Sequence, residues 1–305
     1  MLQSLEIKGL FGNFNYNLQF SVSQDDRIRF ITAPNGYGKT SILRFINGLY
    51  NREFDVFFSF PFEALHFHID DVLIRIEQSH SCDAHENVDD DEETVLNIYF
   101  GETAQAASYK ITHDDLDDHS EDSSVNRLIR QLDLFFASEK CIFVDDRRLL
   151  RENTDASELV RFTDVVKNKL RENTDESKKM VDAFSRIVNR CVFSNKKLEI
   201  DSSFGFRFVA NDKNQTKLSM TSLSSGEQHI LLQTLYLLFE APTGTLVLID
   251  EPEMSLHLSW QGDYLNNLRD IVSLRQVQCI VSTHSPFIFG SEYSLSVDLF
   301  ECRNQ

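Results

Sequence analysis

The residues best equipped for chemistry are the run Ala33-Pro34-Asn35-Gly36-Tyr37-Gly38-Lys39-Thr40-Ser41. It stands where the alternating segment Arg27 to Ile31 ends and a helical pattern from about Thr40 to Tyr50 begins. A loop that turns several backbone N–H groups inward around phosphate oxygens needs glycine at points of unusual backbone geometry, and Gly36 and Gly38 fill those points. Lys39 is placed to reach the β- and γ-phosphates of a nucleotide, and the Thr40 hydroxyl is a Mg²⁺ ligand. The helix that starts there adds the partial positive charge of its N-terminus. Asn35, Tyr37 and Ser41 complete the candidate cradle. The pattern usually opens with glycine; Ala33 can hold that place if its φ is negative.

A second chemical feature follows about 210 residues later. The segment Thr245 to Ile249 reads as a buried strand, and Asp250 and Glu251 lie at its end. Asp250 is a hard oxygen donor suited to holding Mg²⁺ through water. Glu251 is suited to polarising an attacking water, because phosphoryl transfer depends on a positioned nucleophile. The run Leu223-Ser224-Ser225-Gly226-Glu227-Gln228 opens a predicted helix from Ser225 to Phe239 and resembles the signature motif of the ABC ATPase superfamily. That resemblance implies that Ser225, Gly226 and Glu227 belong to the nucleotide site, with Ser225 and the Gly226 backbone contacting the γ-phosphate bound by a second subunit. The same residues also suit an ordinary helix start, with Ser224 or Ser225 as the cap. Val281-Ser282-Thr283-His284-Ser285-Pro286, 34 residues beyond Asp250 at His284, resembles the superfamily's switch histidine, which senses the γ-phosphate. The cofactors implied are ATP and Mg²⁺.

Transporter subunits usually continue past the strand-end carboxylates with a Ser-Ala-Leu-Asp stretch. This chain has Glu251-Pro252-Glu253-Met254-Ser255-Leu256-His257, followed by Trp260 and Gln261, and resembles the RecF, SMC and OLD-like branch. Proteins of that kind include AAA family ATP-binding proteins of bacterial anti-phage defence. The resemblance covers roughly residues 1–50 and 216–305, and implies a homodimer or higher oligomer with two ATP molecules sandwiched between heads. It also implies a separate effector, such as a TOPRIM-type nuclease, because 21 residues beyond His284 leave no room for a C-terminal nuclease domain. A RecF-like repair ATPase that binds DNA directly is the alternative. A transporter's nucleotide-binding subunit fits the Glu251 to His257 stretch poorly. His66, His68 and Asp70 alternate and could form a metal face, although solvated polar residues on one strand face are the commoner outcome. Arg147 and Arg148, after the short strand Cys141 to Val144, are candidates for coupling or DNA contact, with surface ion pairs as the plainer reading.

The elements that must position these residues read as α/β: an ABC-type P-loop ATPase head built from both chain ends, 1–50 and 216–305, with an inserted strand-and-helix lobe over 51–215. Alternation predicts strands near Leu5 to Lys8, Tyr16 to Phe20 and Thr94 to Phe100, and a hairpin over Leu65 to Glu77. Helical spacing covers Val125 to Phe136, Ala156 to Leu170 and Asp175 to Val192, then a helix from about Ser259 and a strand Gln278 to Ser282. The pentapeptide Arg-Glu-Asn-Thr-Asp occurs at 151–155 and 171–175, each time before a predicted helix, as reuse of one N-cap would explain. No sustained heptads suggest a long coiled-coil arm.

The formal charge of −18 is local: residues 77–122 hold 15 acidic residues and one basic residue. That acidic segment, 77–124, reads as a solvated loop or hairpin edge that lies away from any DNA backbone. The segment from Lys140 to Lys197 reverses the balance, with 14 basic against 10 acidic residues, and is the one region that could face DNA. Five scattered cysteines without a CxxC pair suit a reducing cytosol. No basic leader precedes an apolar block, and no apolar run is long enough to span a membrane, so a cytoplasmic protein without membrane contact is expected.

Overall fold

A computed structural model of the chain describes residues 1–20, 27–81, 93–101, 107–118, 120–137, 139–145, 155–191, 196–254 and 256–302. The fold is mixed α/β. The chain divides into two compact units, Met1–Cys141 with Val297–Gln305, and Ile142–Ser296.

The first unit contains β1 (Leu2–Leu10), β2 (Phe14–Gln19), β3 (Ile28–Thr32), β4 (Ala64–Ile69), β5 (Val72–Ser81), β6 (Glu93–Phe100) and β7 (Ala107–Thr112). All but β3 make one antiparallel sheet in the order β2-β1-β4-β5-β6-β7. Period-2 alternation sets its register: Leu65, Phe67 and Ile69 of β4 are buried, whereas His66 and His68 are half-buried on the other face. The hairpin expected over 65–77 is β4–β5, with Leu65 opposite Ile76 and Phe67 opposite Ile74. This unit also holds α1 (Lys39–Asn51), α2 (Asp55–Ser59), α3 (Ser124–Phe135) and a short helix over Leu299–Cys302. α1 buries Ile42, Phe45, Ile46 and Leu49, and Phe45 stacks on Phe57 of α2 at 5.7 Å between ring centroids. The Asp114 to Asp122 acidic run carries a single 3-10 turn over Asp114–Asp117 with no buried residue. The other acidic run, Asp83 to Glu93, lies outside the described residues except for Glu93, which opens β6.

The second unit contains β8 (Cys141–Asp145), all but its first residue, then α4 (Asp155–Glu172), α5 (Asp175–Arg190), β9 (Lys196–Asp201), β10 (Gly205–Ala210), β11 (Lys217–Leu218), α6 (Ser225–Phe239), β12 (Leu246–Asp250), α7 (Leu258–Gln261), α8 (Tyr264–Arg275) and β13 (Gln278–Thr283). β12 and β13 are parallel, Leu246 opposite Gln278 through Asp250 opposite Ser282, and β8 lies beside β12. Every residue of β13 is buried, the apolar centre Cys279, Ile280 and Val281 together with the polar Gln278, Ser282 and Thr283. α6 is apolar on nearly all sides and correspondingly buried along its length, packing against α4, α5 and α8. At 171–175 the repeated pentapeptide does supply a cap: Thr174 is the N-cap of α5, in a reciprocal capping box with Ser177. The earlier copy, 151–154, lies outside the described residues, as do Arg147 and Arg148. β9, β10 and β11 form a separate antiparallel sheet that periodicity did not predict.

Candidate functional site

The phosphate loop belongs to the first unit. β3 buries Ile28, Phe30 and Ile31 and delivers the chain to Ala33, which is buried. Ala33 is not among the described non-glycine residues with positive φ, which is the condition its presence required. Gly36 and Gly38 adopt φ of +86° and +85°. For Gly36 the backbone geometry alone demands glycine, since a Cβ would meet nothing within 4 Å. At Gly38 space demands it too, because a Cβ would lie 2.7 Å from Leu10 Cδ2. Gly38 is the N-cap of α1 and supplies no capping side chain, the form a helix N-terminus takes where an anion is to approach its backbone.

Lys39 is 5% exposed, and its ammonium donates to the carbonyls of Ala33 (3.0 Å) and Pro34 (3.4 Å). A buried cation resting on backbone carbonyls at the mouth of an uncapped helix fits a polyphosphate guest, which offers it stronger oxygen partners. Ser41 is buried, Thr40 is half-buried, and Asn35 and Gly36 are exposed. Tyr37 holds the loop tip: its carbonyl accepts from Tyr16 Oη (3.0 Å), and its ring lies 5.4 Å from Phe14 and 6.0 Å from Phe300.

The carboxylate pair, the switch histidine and the signature turn all belong to the second unit. β12 ends at Asp250, whose Oδ1 accepts from the Ser282 hydroxyl directly opposite on β13. Glu251 has φ of +46°, and its N–H donates to Ser282 O (3.0 Å) and Ser282 Oγ (3.3 Å). The Glu251 carboxylate meets His284 Nε2. His284 is fixed from behind as well, its backbone N–H donating to Glu253 Oε1 at 2.5 Å. Ser285 Oγ then donates to Gln261 Oε1 (2.7 Å), tying the turn after β13 to α7. His257 caps α7 through Nδ1, which accepts from Ser259 N at 3.3 Å. Thus Asp250, Glu251 and His284, chosen from sequence, converge at adjoining strand ends. Glu253 and Ser282 were not singled out; the short spacing Glu251-Pro252-Glu253 was the signal that could have found the first.

At the signature turn the N-cap of α6 is Ser224, not Ser225. Ser224 Oγ accepts from Glu227 N (3.3 Å), and Glu227 Oε2 accepts from Ser224 N (2.7 Å). Gln228 Nε2 donates to Met220 O (3.3 Å) and Leu223 O (3.1 Å), fixing the approach to the turn. Ser225 is exposed and Gly226 half-buried, whereas the Glu227 carboxylate is turned inward onto Lys196 Nζ.

The remaining candidates have local partners. His66 Nδ1 meets Glu6 Oε2 at 3.0 Å, and Asp70 accepts from the N-terminal ammonium at 2.7 Å. Among the described residues no group of three or more His, Cys, Asp or Glu side chains could hold a metal ion. In the basic region, Arg186 and Arg190 both pair with Asp270, at 3.2 and 2.7 Å. Among the described residues no helix is long and apolar enough to cross a membrane.

Comparison with solved structures finds similarity to the SMC head domain from Thermotoga maritima (16% identity, TM-score 0.42), covering 97% of this chain and 92% of that one. A SmcHead bound to the C-winged helix domain of ScpA matches at 15% identity and TM-score 0.41, over 94% and 90% of the two chains. A Smc head domain with an extended coiled coil, bound to the C-terminal domain of ScpA derived from Pyrococcus furiosus, matches at 13% identity and TM-score 0.42 over the same shares. No curated protein matches the sequence. The family model described as "AAA domain, putative AbiEii toxin, Type IV TA system" matches residues 34–290, from the phosphate loop to beyond His284. The match spans most of the chain, and the chain belongs to that AAA domain family.

Proposed function

We propose that the chain hydrolyses ATP to ADP and phosphate, dimerises when ATP binds, and in that state controls a separate effector in bacterial anti-phage defence. The head would comprise 1–50 and 216–305, and the lobe 51–215 would carry contacts to the effector. The observation that supports the hydrolytic reading is the Glu251–His284 contact beside Asp250 and Ser282, at two adjoining strand ends, where a base, a metal ligand and a sensor would be needed.

The division of labour follows from the chemistry of each group. Asn35, Gly36, Tyr37, Gly38 and Ser41, with the N-terminus of α1, supply the backbone and hydroxyl donors that hold the phosphates, and Lys39 supplies a cation. Thr40 and Asp250 would hold Mg²⁺, which when bound neutralises charge on the β- and γ-oxygens. Glu251 accepts a hydrogen bond from the attacking water and orients it. While His284 occupies Glu251, that carboxylate is engaged, so a γ-phosphate competing for His284 would free it for water. Ser225 and Gly226 act on the ATP of the second copy. Exposed Met254 (69%) and Leu258 (63%), close in sequence to Glu251, are apolar surface of the kind a second copy would cover.

Effector control is preferred to direct DNA binding because Arg186, Arg190 and Lys196 are paired with Asp270 and Glu227. A cation already neutralised within the fold contributes little to phosphate binding. The effector class is a nuclease or toxin on its own polypeptide, and the setting is the cytoplasm.

The test is Glu251→Gln with Mg-ATP. Hydrolysis should fall by about 10²-fold or more, and sedimentation should show an ATP-dependent dimer. Wild-type turnover by this variant removes Glu251 from the chemistry. ATP-dependent, salt-sensitive DNA affinity in the same preparation would move the reading to repair.

A further inference from the structure

The signature turn poses an electrostatic problem. The N-terminus of α6 is proposed to receive the terminal phosphate of another copy's nucleotide, yet the third residue of that helix is a glutamate, 5% exposed. The carboxylate is committed to the cap, since Glu227 Oε2 accepts the Ser224 N–H at 2.7 Å. A bare negative charge there would consume the helix's positive end and repel an arriving anion.

Lys196, 31 residues earlier, resolves it. Its Nζ lies 2.7 Å from Glu227 Oε1 and 2.8 Å from Oε2, with side-chain exposures of 19% for the lysine and 7% for the glutamate. The lysine is itself held in place: it opens β9, paired with Ala210 of β10. β10 in turn lies against α4, so closely that a Cβ on Gly205 would meet Thr163 O at 1.9 Å. The shape of the turn has separate support from Gln228 on the carbonyls of Met220 and Leu223. Removing the lysine therefore changes the charge at the turn more than its shape.

We propose that Lys196 is a positioning residue for the signature turn, cancelling the charge of the capping carboxylate so that Ser225 and Gly226 can engage a nucleoside triphosphate held by a second copy. This rests on the ATP-sandwich reading above. It assigns Glu227 to the cap and not to the nucleotide, and makes the β9–β11 sheet the element through which the turn's affinity is set.

The test uses the full-length Glu251→Gln protein with Mg-ATP, reading the dimer dissociation constant by sedimentation at several salt concentrations. Adding Lys196→Met should weaken the ATP-dependent dimer about tenfold at every salt concentration, because the carboxylate left behind is buried and only weakly screened. Lys196→Arg should retain dimerisation. Lys196→Met with Glu227→Gln should restore it to within about twofold, because glutamine keeps an oxygen for the Ser224 N–H without the charge. If Lys196→Met alone fails to fold, this double variant, which leaves no unpaired buried charge, carries the test. A Lys196→Met protein that dimerises like its parent overturns the proposal while leaving the sandwich intact. A double variant as weak as Lys196→Met also overturns it, making the lysine a mere tether. A Glu251→Gln parent that stays monomeric with saturating Mg-ATP removes both readings.

Discussion

Glu251 is held by two constraints that oppose ordinary preference. Its φ of +46° is uncommon outside glycine, and Pro252 follows, which disfavours helical geometry at the residue before it. The conformation persists because its N–H is shared between Ser282 O and Ser282 Oγ, and because Met254 N closes a turn onto Glu251 O at 3.1 Å. Such strain marks a place where the surroundings over-determine one geometry. Here it bends the chain at the end of β12 as the side chain reaches His284. The neighbouring strand supplies a further residue-scale expectation. Cys279 of β13 is fully buried, and burial pushes its thiol up to about 12; Cys191, at the end of α5, is pushed up to about 12 chiefly by burial as well. An acid whose folded pKa is raised binds its proton longer in the native state than in the unfolded chain. Its stabilisation is complete below the unfolded thiol value, about 8.5, and falls as pH rises toward 12. Each thiol should therefore withdraw about 1.4 kcal/mol of stability per pH unit above that value. Urea midpoints between pH 7 and 10 should fall for the wild type and fall less steeply for Cys279→Ala. Identical slopes would mean that Cys279 ionises as freely folded as unfolded.

At the scale of elements, the glycine at 205 decides how firmly the β9–β11 sheet is seated. Its φ of +79°, and the 1.9 Å that would separate Thr163 O from any Cβ added there, leave no accommodation that spares the backbone. Gly205→Ala should cost about 3 kcal/mol, seen as a lowered urea midpoint, and should loosen β10 from α4 in hydrogen exchange. Protection of Phe206 and Phe208 equal to wild type would sink that expectation. This sheet is also where sequence reading fell short. α1, α5, α6, β12 and β13 were legible within a residue or two because each carries a local signal: the glycine-rich start of α1, the capping residues Thr174 of α5 and Ser224 of α6, and the apolar runs of β12 and β13. The β9 and β10 stretch has the alternation Leu198, Ile200 and Phe206, Phe208, but β9 is nowhere fully buried, and four of its six residues are lysine, glutamate or aspartate. It reads as part of a basic surface until its partner strand is known. The phosphate loop was legible because backbone geometry dictates glycine locally. The Lys196–Glu227 pair was not, because it joins two elements whose proximity only the tertiary fold creates.

For the whole molecule, pairing of two chains around ATP makes a thermodynamic demand that no single residue can meet. A ligand bound to the folded state alone raises stability by an amount set by its concentration, about 2.7 kcal/mol at a hundredfold excess over its dissociation constant. Binding to one chain through Lys39 gives a rise independent of protein concentration. Assembly of two chains around the nucleotide adds a second term that grows with protein concentration, since the partner is itself a ligand. In Glu251→Gln, where turnover is suppressed, the melting temperature with Mg-ATP should climb as protein is concentrated. Lys39→Ala should show neither term. Ser225→Arg, at an exposed position on the signature turn, should keep the first and lose the second, because the larger cationic side chain blocks the approach of the other copy while the phosphate loop's own residues are unchanged. A concentration-dependent rise that survives Ser225→Arg would place the contact between copies elsewhere, and would detach the signature turn from the second nucleotide.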